Sequence, residues 1–379
     1  MTASSPTDVA APMREALALA AHAVGLSDPN PRVGCVMVGA DGRLAGRGHT
    51  QEAGGPHAEV MALRDAAARG VDVRGATVYV TLEPCSHHGR TPPCADALVD
   101  AGVARVVIAL RDPNPLVSGR GAARLEAAGI AVQWVGGAEE SRELNIGFVS
   151  RMERGRPWLR LKAAVSLDGR TALADGTSQW ITGEAARIDG HAWRKRAGAV
   201  LTGVGTVRED DPRLDVRLVA SARQPLRVVV DSRLETAPDA RILAPPGTVL
   251  MYAAVDDSTR RQALEDRGAE VVLLANPSGK VDLAAMLADL GKRGINELHA
   301  EAGEKLNASL LAAGLVDELL VYVAPRVIGS GRGLAALAPV ARIEQALGFA
   351  FTSVDRVGAD LRLLLRPASS PRSTEVPTV

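Results

Sequence analysis

Cysteine is scarce in this chain: three in 379 residues, at Cys35, Cys85 and Cys94. That is too few for a disulfide framework, so the fold must rest on its cores and the thiols are available for other chemistry. Net charge is also lacking. Lys plus Arg number 44, as do Asp plus Glu, and no long run of one sign occurs. A protein that tracks a nucleic-acid duplex carries a basic excess or stripe, so no nucleic-acid partner is expected. No uncharged apolar run approaches the length of a membrane span, so no membrane partner is expected. The N-terminus, Met1-Thr-Ala-Ser-Ser-Pro-Thr-Asp8, lacks the basic-then-apolar order of a secretion signal. A reduced, cytoplasmic setting is the expectation.

The composition is that of a globular protein, 46% hydrophobic and 23% charged, and the length suits two domains with a core each. Residues 1–10 and 367–379, rich in Ser, Thr and Pro, read as loose tails. Between them, short β-branched runs alternate with Ala-rich helical stretches. Strands are expected at Val33–Val38, Thr77–Thr81, Arg105–Leu110 and Ile130–Val135, with helices near 12–24, 57–69, 93–101 and 120–128. The pattern restarts after the charged segment Arg151-Met-Glu-Arg-Gly-Arg-Pro157, where a domain boundary is placed: 1–152 and 153–379. Further strands are expected at Leu159–Val165, Ala199–Thr202, Arg227–Val230, Val249–Tyr252, Glu270–Leu274, Glu297–His299 and Leu319–Val323. The alternation implies α/β domains, and no internal repeat relates the two halves.

One constellation carries chemistry. His57-Ala-Glu59 follows Gly54-Gly-Pro56, and two cysteines follow prolines, Pro84-Cys85 and Pro93-Cys94. One imidazole and two thiolates leave a tetrahedral zinc with an open position for water. Proline before His57 and before Cys94 places both in the first turn of a helix, where the dipole favours thiolate over thiol. Glu59, close to the metal without ligating it, is then left to move protons, an arrangement used in zinc-dependent base deamination. The competing reading is a closed structural site, for which His49, His87 or His88 would supply a fourth ligand. Eight residues, Ser86 to Pro93, separate the cysteines where the common deaminase signature has two. That insertion brings a polar loop with His87, His88 and Arg90 beside the site.

His57-Ala-Glu59, Thr81-Leu-Glu-Pro-Cys-Ser-His-His-Gly-Arg-Thr-Pro-Pro-Cys94 and Asp112-Pro-Asn-Pro115 closely resemble the bacterial bifunctional riboflavin-biosynthesis deaminase–reductases. In the second half, Leu161-Lys-Ala-Ala-Val-Ser-Leu-Asp-Gly-Arg170, Ser178-Gln-Trp-Ile-Thr182, Asp210-Asp-Pro212, Asp231-Ser232 and Glu301-Ala-Gly303 extend the resemblance, which runs from about residue 13 to 365. It implies an N-terminal cytidine-deaminase-like α/β/α domain with a mixed sheet and a C-terminal α/β domain similar to dihydrofolate reductase. It also implies two reactions: hydrolytic deamination of 2,5-diamino-6-ribosylamino-4(3H)-pyrimidinone 5′-phosphate, then NADPH-dependent reduction of the ribosyl side chain to ribityl. By this resemblance the zinc ligands fall on His57, Cys85 and Cys94, the proton-transfer residue on Glu59, and substrate contacts on Asn30, His49, His87, Arg90, Asp112 and Asn114. A homo-oligomer is plausible on the same ground.

Read alone, the second half says less. Gly203-Val-Gly205-Thr206 after a strand is a partial glycine motif. Glu301-Ala-Gly303-Glu-Lys305 opens a helix whose amides could hold a phosphate or simply make a tight turn. The resemblance favours NADPH, with Thr182, Gly203, Thr206, Ser232 and Gly303 toward the cofactor. It places Lys162, Ser178, Trp180, Arg194, Arg217 and Glu301 toward the substrate, Arg194 and Arg217 as guanidinium forks for the 5′-phosphate. Asp210 is expected near the reacting sugar carbon. Leu214-Asp-Val-Arg217 replaces the family's frequent Leu-Thr-Val-Arg, and the Asp215 side chain is expected to point away from Arg217. Cys35, Trp134 and Trp158 are expected to serve packing, and His22 and His191 solvated or capping roles. The rival function is a single zinc deaminase acting on a nucleoside or an RNA base, with a C-terminal domain that only binds.

Overall fold

The computed structural model describes residues 9–86, 92–115 and 117–368. It divides into two compact units. One holds the residues up to Pro157 together with Ala288–Asn296; the other holds Trp158–Leu287 and the residues from Glu297 onward. Each is α/β, as the alternation of runs predicts.

The first unit contains α1 (Ala11–Ala21), β1 (Gly34–Val38), β2 (Leu44–His49), α2 (Ala58–Ala68), β3 (Thr77–Leu82), α3 (Cys94–Asp100), β4 (Arg105–Leu110), α4 (Arg120–Ala127), β5 (Ala131–Trp134), α5 (Ala138–Leu144) and α6 (Ile146–Arg154). Its mixed sheet has the order β2-β1-β3-β4-β5. The β1 pairings are antiparallel, and those of β3 with β4 and β4 with β5 are parallel. Helices cover both faces, so neighbouring residues on a strand enter different cores. Cys35, Met37, Val106 and Ile108 pack with Ala62, Leu98 and Leu125 on one side. Val36 and Val107 pack with Met13 and Ala16 on the other. Cys35 is wholly buried, the packing role expected of it.

The strand β2 was not expected from Leu44-Ala-Gly-Arg-Gly-His49, which has no β-branched residue and contains two glycines. They are there for close approach: a Cβ on Gly46 would stand 2.2 Å from the Ala62 carbonyl oxygen, and one on Gly48 2.7 Å from the Ala62 nitrogen. Helix α2 therefore lies directly on the strand, which fixes its first turn over the end of the sheet. The charged segment expected as a boundary is helical up to Arg154, where α6 ends on the left-handed Gly155.

The second unit contains β6 (Trp158–Ser166), β7 (Arg170–Leu173), α7 (Glu184–Arg196), β8 (Ala199–Gly203), α8 (Val204–Asp210), β9 (Leu226–Val230), β10 (Val249–Ala253), α9 (Ser258–Glu265) and β11 (Ala269–Leu273). It continues through α10 (Leu283–Lys292, whose residues from Ala288 belong to the first unit), β12 (Glu297–Ala300), α11 (Glu304–Ala312), β13 (Glu318–Ala324), β14 (Gly331–Gly333), β15 (Phe349–Val357) and β16 (Asp360–Pro367). Its nine-stranded sheet runs β11-β10-β9-β8-β12-β6-β13-β16-β15. All pairings from β11 to β13 are parallel, and β16 and β15 close the edge as an antiparallel hairpin. Val200, Val229, Met251, Ile242 and Leu264 form one core cluster.

Arg160 on the central strand β6 is 2% exposed. A guanidinium so placed needs paired charges around it. The flanking strands supply them: Glu318 Oε2 lies at 2.5 Å from Nε and Glu297 Oε2 at 2.9 Å from Nη1, and the Trp193 ring covers the cation at 4.3 Å.

Candidate active sites

In the first unit three short chain segments meet. Cys85 follows β3, Cys94 is the first residue of α3, and His57 caps α2. The His57 Nδ1 lies 3.6 Å from Cys85 Sγ and 3.3 Å from Cys94 Sγ, and the three ligand atoms are all within 4.8 Å of one another. Bond lengths of about 2.0–2.3 Å at tetrahedral angles set ligand atoms about 3.3–3.8 Å apart, so this donor set fits zinc. It is the sole such metal-ligating cluster among the described residues. The Cys94 amide donates to Cys85 Sγ at 3.3 Å, a contact that suits a thiolate at a helix N-terminus.

Glu59, in the first turn of α2, is 3% exposed, and burial raises its pKa above the usual carboxyl range. It lines a cavity of about 390 Å³ with His57 and Cys85. Asn30, Asp112 and Asn114 line the same cavity, so three expected substrate contacts converge with the metal cluster although they lie far apart in the chain. Burial pushes Asp112 up to about 6. His49 is not among the lining residues. It ends β2, stands edge-on to His22 at 5.6 Å and accepts no closer partner than Gln51. His87 and Arg90 lie outside the described residues. Glu83, Thr50 and Phe148 also line the cavity and were not singled out from sequence. Thr50 and Phe148 belong to segments without a recognisable spacing, whereas Glu83 sits inside the cysteine motif itself.

In the second unit, a cavity of about 780 Å³ opens between the ends of β8, β9 and β12. Gly203, Thr206, Ser232 and Gly303 line it. A Cβ on Gly203 would meet Leu306 at 3.2 Å, and one on Gly303 would meet the Thr206 hydroxyl at 3.5 Å, so these glycines bring the two loops together. Five basic residues, Arg208, Arg233, Lys280, Lys305 and Arg332, also line it, and α11 directs its N-terminus there. A polyanionic dinucleotide fits such a cavity. The basic residues come from five separate segments of the chain, and no spacing in the sequence ties them together. Thr182 stands apart from this lining; it is buried, and its carbonyl accepts from Arg187 at 3.1 Å.

Beside the cavity, the Arg194 guanidinium holds Glu301 through both oxygens, the Nη2–Oε2 bond at 3.0 Å, and Lys162 Nζ stands 3.6 Å from Oε2. Burial would raise the Glu301 carboxyl, but Arg194 and Lys162 outweigh it and hold the group well below its ordinary range. Ser178 Oγ lies 3.5 Å from Asp210 Oδ1, and burial, with Glu209 adding, raises the Asp210 pKa. Trp180 is exposed, with Arg187 stacked on it at 4.7 Å.

Asp215 does not point away from Arg217. Its Oδ1 accepts from Arg217 Nη1 at 2.6 Å and its Oδ2 pairs with Arg213 Nε at 3.0 Å. Residues two apart on an extended segment share a face, so the expected divergence was not available. His191 is likewise no solvated residue: it is buried, and its Nδ1 accepts the Arg217 amide at 3.2 Å.

Comparison with known proteins agrees with the two-unit organisation. The Cytidine and deoxycytidylate deaminase zinc-binding region matches residues 7–110, and the RibD C-terminal domain matches residues 157–363. The riboflavin biosynthesis protein RibD of Escherichia coli K12 is 46% identical over 366 residues, covering 93% of this chain and 98% of its own length. RibD of Aquifex aeolicus is 40% identical, covering 93% and 97%. Among solved structures, form 1 of Acinetobacter baumannii RibD superposes with a TM-score of 0.86 at 42% identity, covering 94% of this chain and 98% of that one. A Thermotoga maritima protein described as a diaminohydroxyphosphoribosylaminopyrimidine deaminase/5-amino-6-(5-phosphoribosylamino)uracil reductase superposes at 0.84 with 33% identity, covering 94% and 98%. Two family matches in tandem, and relatives similar over nearly their whole length, leave no room for a lone deaminase with a passive second domain: the chain belongs to the RibD family of riboflavin biosynthesis, bifunctional enzymes that join a zinc-binding deaminase domain to a reductase domain.

Proposed function

We propose that residues 1–152 deaminate 2,5-diamino-6-ribosylamino-4(3H)-pyrimidinone 5′-phosphate and that residues 153–379 then reduce its ribosyl side chain with NADPH, giving 5-amino-6-ribitylaminouracil 5′-phosphate. The observation that carries the first half is the convergence of His57, Cys85, Cys94 and Glu59 with Asn30, Asp112 and Asn114 around one cavity. Zinc held by His57, Cys85 and Cys94 would acidify water at neutral pH. Glu59 would take one proton from the attacking water and pass it to the pyrimidine ring nitrogen, then take the second from the new hydroxyl on the substrate carbon and pass it to the departing ammonia. Its burial favours the protonated form needed for the delivery. Asn30, with both a donor and an acceptor on its amide, suits the ring edge, and Asp112 and Asn114 suit the remaining polar groups of the substrate.

For the second half, NADPH supplies the hydride, and the protein has to align it with the sugar. The amides at the start of α11 and the loop Gly203–Thr206 suit the pyrophosphate. The strand β9 neighbours β8 in the sheet, and in open parallel sheets the end of that neighbouring strand reads the adenosine ribose. Asp231 at this end is buried and lines the cavity, with Oδ2 held by the Thr236 amide at 2.7 Å and hydroxyl at 2.8 Å. Ser232, Arg233 and Lys280 line the cavity beside it, and their hydroxyl and two cations suit a 2′-phosphate. Lys162, Ser178 and Asp210 would face the sugar, with Arg217 toward the 5′-phosphate; Arg194, expected there too, is instead committed to Glu301 and to the Asp215 carbonyl at 3.0 Å. A reduced, cytoplasmic setting suits a site that needs two free thiols. No described helix is long and apolar enough to cross a membrane. A second copy of the chain is the proposed partner. The exposed apolar residues Ile343, Phe351 and Val354 on and beside the edge strand β15 support it.

The test is mass spectrometry of the products formed from the diaminopyrimidinone ribotide. Exchange of an amino group for oxygen without NADPH, and gain of two hydrogens once it is added, are expected. An unchanged substrate with zinc bound would overturn the substrate assignment.

A further inference from the structure

The mechanism above gives no role to Glu83, yet this carboxylate is 3% exposed and its oxygens are all but enclosed by backbone amides. Oε1 accepts from Gly121 at 3.0 Å and Ala122 at 3.2 Å; Oε2 accepts from Gly119 at 3.0 Å and Asp112 at 3.3 Å. Four amides from one remote stretch of chain, residues 112–122, are thus satisfied by one side chain located two residues before Cys85. The backbone repeats the connection, since the Glu83 amide donates to Leu110 at 2.9 Å. The segments are also pressed together: a Cβ on Gly121 would lie 1.9 Å from the Pro84 carbonyl oxygen, so Gly121 admits no side chain there.

What hangs from this junction is the cavity wall. Asp112 and Asn114 both line the cavity, and Asp112 Oδ1 accepts the Asn114 amide at 2.8 Å. On the other side, the Cys85 carbonyl accepts the Ala95 amide at 3.1 Å, next to Cys94. One junction therefore ties the segment bearing two cavity-wall side chains to the segment bearing a metal-ligating thiol. A neutral side chain cannot replace it. Gln at this position keeps an acceptor for one pair of amides and turns an NH₂ donor against the other pair.

We infer that Glu83 is a positioning residue for deamination, a four-amide latch that holds Asp112 and Asn114 at a fixed distance from the metal cluster and so sets substrate affinity. The inference rests on the deaminase reading of this cavity. Its signature is a split between kinetic constants. A wall that contacts substrate equally in ground and transition states raises KM and leaves kcat in place when it loosens, whereas general damage lowers the active fraction and with it kcat.

The test uses the full-length zinc-loaded enzyme and the diaminopyrimidinone ribotide. Glu83→Gln is expected to raise the deaminase KM about ten- to hundredfold, the range for buried amides left without acceptors, with kcat within about threefold of the parent and zinc content unchanged. Asn114→Ala should raise KM by itself, and the double variant should exceed the larger single effect only marginally, because both changes act through one wall. A fall in kcat at unchanged KM, loss of zinc, or single effects that multiply in the double variant would each overturn the latch. Should Glu83→Gln not fold, Glu83→Asp, which keeps the charge but shortens the reach, carries the same expectation at smaller size. An Asn114→Ala enzyme with parental KM would count against the substrate role of Asn114, while the Glu83 shift would still decide the latch.

Discussion

Exchanging Glu59 for Gln separates proton transfer from everything else the deaminase cavity does. The side chain is 3% exposed and sits in the first turn of α2, whose neighbours Ala58 and Ala62 belong to the core. Gln has nearly the same volume, so the helix, its contact with β2 and the His57 position should persist. Because burial already disfavours the ionised carboxylate, an amide introduces no new desolvation cost, and the change in stability should stay within about 1 kcal/mol. The lost function is larger. A positioned proton carrier is worth roughly 10²–10⁴ in rate, equivalent to about 2.7–5.4 kcal/mol of barrier. The assay follows ammonia release at saturating ribotide, with zinc measured on the same preparation and NADPH oxidation measured on the deaminated intermediate. A hundredfold or greater loss of deamination is expected, with one zinc per chain and an undiminished reductase rate. Deamination within threefold of the parent would refute proton carriage by Glu59. Loss of zinc would refute it too, since it would make Glu59 a ligand.

Further expectations concern the second unit. Burial, reinforced by Arg194 and Arg217, pushes the His191 pKa down to about 4 from the ordinary 6.5 of a free histidine, so the unfolded chain binds more protons than the folded one between those values. Stability should therefore fall as pH drops from about 6.5 to 4, and His191→Asn, which keeps an acceptor for the Arg217 amide, should flatten that slope in thermal melts. Arg233→Ala and Lys280→Ala should weaken NADPH binding while leaving NADH binding nearly unchanged, by fluorescence titration; equal losses for both would place the 2′-phosphate elsewhere. Asp215→Thr, which releases Arg217 from a pair half open to solvent, should lower the reductase KM about two- to fivefold, the size of a surface ion pair. A higher KM would mean that Asp215 aims the guanidinium at the phosphate.

Much of the architecture was legible because it is local. The strands β3, β4, β8 and β10 are nearly continuous β-branched or apolar runs, which is how strands buried on both faces read, and β6 and β9 keep that character around Arg160 and Arg227. The metal cluster was legible because each ligand carries its own local signal, a proline or a helix start. What escaped depended on packing between distant segments. In β2 the glycines serve contact with Ala62, and a sequence cannot show what a glycine approaches. The edge hairpin β15–β16 left a better trace, alternating residues around Gly358 with its left-handed φ of 63°, but charged Asp355 and Arg356 interrupt the apolar face. His49 carried a family resemblance, and the structure sets it against His22, outside the cavity lining. The Asp215–Arg217 pair was misread by placing i and i+2 on opposite faces.

The place of β6 in its sheet bears on how the chain is made. Its hydrogen-bonding neighbours are β12 and β13, strands synthesised about 140 and 160 residues later, whereas the sheet of the first unit draws all its strands from residues 34–134. At roughly 5–20 residues per second, the segment Trp158–Ser166 spends about 7–30 s outside the ribosome before its first partner emerges. Throughout that interval Leu159, Leu161, Ala163 and Val165 have no strand beside them and Arg160 has neither carboxylate. A ribosome that stalls after Ser166 and before Glu297 therefore releases a chain with all strands of the first sheet and an apolar strand exposed along both edges, a substrate for chaperones or for aggregation.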